Sequence, residues 1–209
     1  MSDLKAIQKQ IKKAEAYFIT DEFNIRYISN FTGTNGQILL TAKSAYFFTD
    51  FRYLRVAKKI LPPGVRLINT NKPLPELLNK IFTQEKVTTV YFEEKNLSYL
   101  FYKNYQKNLK IKKFLPSLHF IENFRLLKTE QELQLITKAQ RLAEKVFLEV
   151  RRNLKAGKTE EQIAWEIERI GHDMGADTIS FPAIVGFGEN SGSPHHQNST
   201  RKLKKGEMV

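Results

Sequence analysis

Two adjacent histidines, His195 and His196, close a loop of small and polar residues, Gly188-Glu189-Asn190-Ser191-Gly192-Ser193-Pro194. Imidazole is the side chain that moves protons near neutral pH, as general acid, general base or hydrogen-bond donor. Spacing alone leaves two readings of His195 open: a chemically active group, or a loop histidine exposed to water. A core role does not suit so polar a segment. Neighbouring histidines cannot grip one ion as histidines one helical turn apart do, so the pair is not a chelate. His119 and His172 stand alone, and Asp173 and Asp177 flank a helix end, where capping and solvation account for them. There is no cysteine, which excludes disulfides, thiolate zinc sites and cysteine nucleophiles. No metal site is expected within these residues. Asp50 and Arg52 read as an ion pair or a helix cap.

The bulk of the chain narrows the partners. Thirty-four Lys and Arg against 22 Asp and Glu give a net charge of +12, which favours polyanions. The lysines are dispersed, however, and neither zinc-finger spacing nor an RNA-binding aromatic signature accompanies them, so nucleic acid is not an expected partner. Hydrophobic residues at 41% and charged residues at 27% suit a folded globular chain. No apolar run approaches a bilayer span, so no membrane partner is expected, and the N-terminus lacks an apolar signal core. A cytoplasmic protein is the expectation.

The loop must be carried by ordered elements. In the first part, strands are predicted at 16–20, 37–41, 44–49, 65–68, 88–92 and 109–114. They alternate with helices capped by Ser2 or Asp3, opened at Asp21-Glu22, capped by Asp50, started near Pro73, and spanning 97–105. This alternation predicts an α/β domain around a mixed sheet. In the second part, Thr129-Glu130-Gln131-Glu132 and Thr159-Glu160-Glu161-Gln162 open two helices, the first as a capping box. The first runs to about Asn153 with Leu133, Ile136, Ala139, Ala143 and Phe147 as its apolar stripe. The second buries Ile163, Ile167 and Ile170, with Trp165 as core packing. Ser180–Gly186 reads as a strand beginning at an edge, with Phe181 and Ile184 in the core. Gly188, Asn190 and Ser191 read as loop formers. Met208-Val209 reads as the start of a strand.

Five segments together carry a resemblance. Asn24-Ile25-Arg26-Tyr27-Ile28-Ser29-Asn30-Phe31-Thr32-Gly33-Thr34 and Phe48-Thr49-Asp50-Phe51-Arg52-Tyr53 resemble two segments of the creatinase N-terminal domain, with Phe51 where glycine is common. Phe124-Arg125-Leu126-Leu127-Lys128-Thr129-Glu130-Gln131-Glu132 resembles the entry to the catalytic domain. Phe181-Pro182-Ala183-Ile184-Val185-Gly186 through Pro194-His195-His196 resembles the family's histidine-bearing segment, and Lys205-Gly206-Glu207-Met208-Val209 resembles the segment that runs into the first metal-binding strand. The chain therefore resembles the Xaa-Pro aminopeptidase and prolidase family, in order along nearly its whole length.

That resemblance implies an α/β creatinase-like N-terminal domain with a mixed sheet at 1–120. An incomplete α+β pita-bread metallopeptidase domain follows at 123–209, cut short before its metal ligands. The implied activity is cleavage of the peptide bond preceding proline. Two divalent metal ions, manganese by resemblance, would serve the complete enzyme and none this chain, leaving the 209 residues inactive alone. By the same resemblance His195 is the catalytic and substrate-binding histidine. His196 binds substrate, and Arg52 reaches substrate across a homodimer. Arg125, Lys128 and Glu132 would organise the joint between domains and the start of the helix. Proline-containing peptides are the expected partners. The competing readings are a non-catalytic creatinase-like binding or dimerisation module, a Xaa-Pro dipeptidase, and a creatinase-type hydrolase.

Overall fold

The computed structural model describes residues 4–209, so the expected cap at Ser2 or Asp3 lies outside the described residues. The chain divides into two compact units, Met1–Leu127 and Lys128–Val209.

The first unit is a six-stranded mixed sheet with helices on both faces. Its elements run α1 (Leu4–Lys9), β1 (Glu15–Ile19), α2 (Glu22–Ser29), β2 (Gln37–Thr41), β3 (Ala45–Thr49) and α3 (Leu54–Ile60). Then come β4 (Val65–Asn69), α4 (Leu74–Glu85), β5 (Thr89–Glu93), α5 (Tyr99–Asn108), β6 (Lys113–Ser117) and α6 (Phe120–Leu126). The strand order is β4-β3-β2-β1-β5-β6. β1 pairs antiparallel with β2 and β2 with β3; the other pairs are parallel. The central strands carry near-continuous apolar runs, Ala16–Ile19, Ile38–Leu40 and Ala45–Phe48, because both of their faces are covered. Ile38, Leu40, Ala45 and Phe47 feed one core, with Ile25, Ile28 and Ile121; Leu39, Tyr46 and Phe48 feed the other, with Leu78, Ile81 and Phe82.

Three local expectations change. The last strand lies at Lys113–Ser117 rather than 109–114; Leu109 instead ends α5 and fills the core. Pro116 is tolerated there because β6 is an edge strand. Asp50 does not cap α3: the N-cap is Tyr53, without a side-chain bond. The first unit continues past 120, because α6 buries Ile121 in the sheet's core and Arg125 donates to Asn24 Oδ1 at 2.8 Å.

The second unit is built on a pair of helices, α7 (Glu130–Asn153) and α8 (Glu160–Asp173). Both carry the reciprocal capping box: Thr129 with Glu132, and Thr159 with Gln162. Glu132 thus serves the start of α7. The core collects Val146, Val150, Ile163, Ile170, Val185, Phe187 and Leu203. The expected stripe of α7 is displaced: Leu133, Ile136 and Phe147 are exposed, and Leu142, Val146 and Val150 face inward. The helix has apolar residues on two sides, and α8 takes only one of them. Trp165, Phe181 and Ile184 are exposed rather than core.

No strand forms at Ser180–Gly186. The Asn198 side chain answers that backbone instead, accepting from Val185 N at 2.7 Å and donating to Ala183 O at 2.7 Å. Met208 and Val209 are likewise not in a strand; Met208 O receives Gly188 N at 2.9 Å. Among the described residues, no helix is long and apolar enough to cross a membrane.

Candidate active site

The loop bearing both histidines is organised from below by one carboxylate. Glu160 is the first residue of α8 and is fully buried. Its Oε1 accepts from Phe187 N at 2.9 Å and Asn190 Nδ2 at 2.8 Å. Its Oε2 accepts from Ser199 N at 3.0 Å and Ser199 Oγ at 2.6 Å, and lies 2.7 Å from His196 Nε2. A carboxylate only accepts, so the imidazole carries its proton on Nε2. Burial alone pushes the Glu160 carboxyl up, but Ser199, His196, Asn190 and the Phe187 amide together hold it well below the usual carboxylate range. The N-terminus of α8 adds a favourable dipole.

Around this carboxylate the chain is fastened at both ends. Ser199 O and Arg201 O receive the first amides of α8, and the 202–203 segment bonds back to 157–159. Gly188–Gly192 makes a 3-10 turn. Gly186 fits under it only as glycine, since a Cβ would lie 2.7 Å from Asn190 O. Arg201 forms a bidentate pair with Glu207, at 3.1 and 2.7 Å. That guanidinium, with the Lys204 amide, brings Glu207 down to about 2.

On this frame His196 faces inward, and its backbone amide donates to Ser193 O at 3.2 Å. His195 faces solvent. The arrangement presents one accessible imidazole from a loop whose flanking residues are held in place, which suits hydrogen-bond donation or proton transfer to a bound molecule. Asn190 and Ser191, expected as loop formers, do that work: Ser191 Oγ donates to Gly188 O at 2.6 Å.

Arg52 lies in the first unit. Its Nε and Nη2 donate to Asp50 Oδ1 and Oδ2 at 3.0 and 2.7 Å, and Asn35 Nδ2 donates to the same carboxylate at 2.5 Å. The Arg52 guanidinium, in the main, holds Asp50 well below the usual carboxylate range. The side chain remains 58% exposed, so the ion pair orients the guanidinium without hiding it.

Among the described residues no three His, Asp or Glu side chains converge as a metal's ligand set. His196 and Glu160 are committed to each other. The residues present do not fit a metal pair.

Sequence reasoning passed over Glu160, Asn198, Ser199 and Arg201. Glu160 looked like an ordinary acidic residue in a helix's first turn, and nothing nearby in sequence signals its partners.

The comparisons follow the two units. Residues 4–127 match the Creatinase/Prolidase N-terminal domain, and residues 134–209 match Metallopeptidase family M24. The chain belongs to the creatinase/prolidase family. It is 29% identical over 201 residues to the uncharacterized peptidase YqhT of Bacillus subtilis (strain 168), covering 93% of this chain and 55% of that protein. The Xaa-Pro dipeptidase from Bacillus anthracis superposes with a TM-score of 0.90 at 27% identity, covering 98% of this chain and 58% of that one. The X-Pro aminopeptidase from Thermotoga maritima MSB8 gives 0.85 at 26% identity, covering 97% and 58%. The chain thus spans little more than half the length of these relatives. The expected creatinase-like domain with a mixed sheet is what the family match and the fold both give, and the second unit matches the metallopeptidase family.

Proposed function

We propose that these 209 residues are the front part of a metal-dependent Xaa-Pro peptidase, aminopeptidase P-like, that cleaves the peptide bond preceding proline. The observation that carries this reading is continuity: the likeness to an Xaa-Pro dipeptidase and an X-Pro aminopeptidase runs through 97–98% of the chain, across both units. Family M24 is a metallopeptidase family. In the complete protein a pair of divalent cations, manganese by resemblance, would supply the activated water, and their ligands would lie beyond Val209.

The part played by this chain's own residues is narrower. His195 donates to the oxygen that gains charge as the peptide carbonyl is attacked; its loop position and exposure support that role. His196 was expected at the substrate too, but its Nε2 is occupied by Glu160, and we assign it to holding the loop. Arg52, oriented by Asp50, reaches substrate from the partner subunit of a homodimer.

The test is hydrolysis of Xaa-Pro dipeptides and longer Xaa-Pro peptides by the complete protein with Mn²⁺, beside matched peptides with alanine for proline. Proline-dependent cleavage, reduced about 10²–10³-fold in kcat by His195→Ala, is expected. Absence of cleavage would rule the reading out and favour a binding or dimerisation module. The ratio of dipeptide to longer-peptide turnover separates dipeptidase from aminopeptidase.

A further inference from the structure

We infer that Glu160 is the positioning residue for His195, acting through the loop and never touching substrate; the inference rests on the reading of His195 as the catalytic group. Three observations carry it. Glu160 is fully buried with both carboxyl oxygens hydrogen-bonded, yet the start of α8 does not need its carboxylate: Thr159 and Gln162 form the capping box, and the Glu160 and Glu161 amides go to Arg201 O and Ser199 O. A buried charge is also a poor device for stability alone, because desolvation cancels most of what its partners return.

What the carboxylate does supply is geometry. Its five donors come from both sides of His195: Phe187 N and Asn190 Nδ2 before it, His196 Nε2, Ser199 N and Ser199 Oγ after it. One anion thereby ties four points of a thirteen-residue span to the first turn of α8. His195 takes part in none of these bonds, and it is the only histidine of the pair left open to a ligand. His196 is the nearest strut, one residue away and fixed at its ring.

Glutamine cannot replace this carboxylate. Whichever way its amide turns, an NH₂ group faces either the Phe187 and Asn190 donors or the Ser199 and His196 donors. A backbone amide of the loop is left without its acceptor, and the loop relaxes away from its single arrangement.

The experiment is a double-mutant cycle in the complete protein with proline-containing peptide substrate. Expected are a kcat lower by about 10–100-fold in Glu160→Gln with a much smaller change in KM, and no further loss when Glu160→Gln is added to His195→Ala. Multiplying losses in the double variant would overturn the inference, since Glu160 would then act independently of His195. Amide hydrogen exchange is the second readout and needs no activity. Residues 187–199 should exchange at least roughly tenfold faster in Glu160→Gln while the first unit is unchanged; unaltered protection of that loop would also overturn it. Should Glu160→Gln fail to fold, His196→Phe removes one strut and must give the same two results. Should the wild type cleave no Xaa-Pro peptide, the proposed activity fails, and the exchange experiment alone still decides whether Glu160 holds the loop.

Discussion

Asn198 replaces a strand ladder with one side chain, and its substitution by alanine and by aspartate can be worked through in advance. In the alanine variant the Val185 amide, on a residue only 5% exposed, loses its acceptor. Stranding a buried donor costs about 1–3 kcal/mol. The Ala183 carbonyl is half-buried and can turn to water, so its lost bond adds about 1 kcal/mol. The total, about 2–4 kcal/mol, falls on the second unit, because Val185 and Phe187 are part of its core. Aspartate keeps the acceptor toward Val185 N but sets a second oxygen against Ala183 O, where the amide sat at 2.7 Å. The aspartate's carboxyl pKa is then raised in the folded state. Stability from that group is present below the unfolded value near 4 and lost as pH rises through the folded value. Trp165, the only tryptophan, lies on α8 and reports the second unit by fluorescence in urea. Asn198→Ala should lower its midpoint by roughly 1–2 M. Asn198→Asp should resemble alanine at pH 7 and recover toward wild type near pH 4, measured against the wild type at each pH. A midpoint in Asn198→Ala within about 0.3 M of wild type, or an aspartate variant that weakens as pH falls relative to wild type, would refute the reasoning.

The remaining expectations are simpler. Thr159→Ala removes the side-chain acceptor for Gln162 N and should cost about 1 kcal/mol by the same fluorescence melt, with Thr159→Ser close to wild type. The lowered Glu160 carboxyl contributes stability that is present above its unfolded value near 4.5 and lost as pH falls toward its folded value. The second unit should therefore weaken on acidification below about pH 4.5, and Glu160→Gln should flatten that slope. Glu93 is the opposite case: burial pushes its carboxyl up despite bonds from Thr20 N, Asp21 N and Asn24 Nδ2. Its contribution to the first unit is present below about 4.5 and lost as pH rises through the folded value, which hydrogen exchange of β5 and α2 against pH should register. If the proposed homodimer and activity hold, Arg52→Ala in the complete protein should raise KM for Xaa-Pro peptides several-fold with assembly intact; an unchanged KM would remove Arg52 from the proposed substrate site.

What could be read ahead of the structure depended on how far apart the interacting groups lie along the chain. Both capping boxes join residues three apart, and the strands of the central sheet announce themselves by unbroken apolar runs, so local chemistry suffices for them. The α7 stripe was misplaced for a different reason. Leu133, Ile136 and Phe147 satisfy helical periodicity as well as Leu142, Val146 and Val150 do, and periodicity cannot say which side a neighbour will occupy. The edge strand slipped because Leu109 and Ile111 look like strand residues, while their burial serves the end of α5 and the core beside it. Glu160 was the hardest, since its partners lie 27 to 39 residues downstream. At the level of sequence it is one acid in a first turn rich in acids, Glu160-Glu161, and only the folded loop distinguishes the two: Glu161 is exposed and Glu160 is surrounded by donors. His195 shows the converse. Its exposure agrees with the solvent-facing reading that spacing already allowed, and exposure alone does not make a histidine reactive. The proposed role of His195 rests on the hydrogen-bonded frame of its loop, which is made by Glu160, Asn198 and Ser199 rather than by the histidine itself. Perturbing these framing residues, with His195 left untouched, is therefore the sharper test of the proposed role.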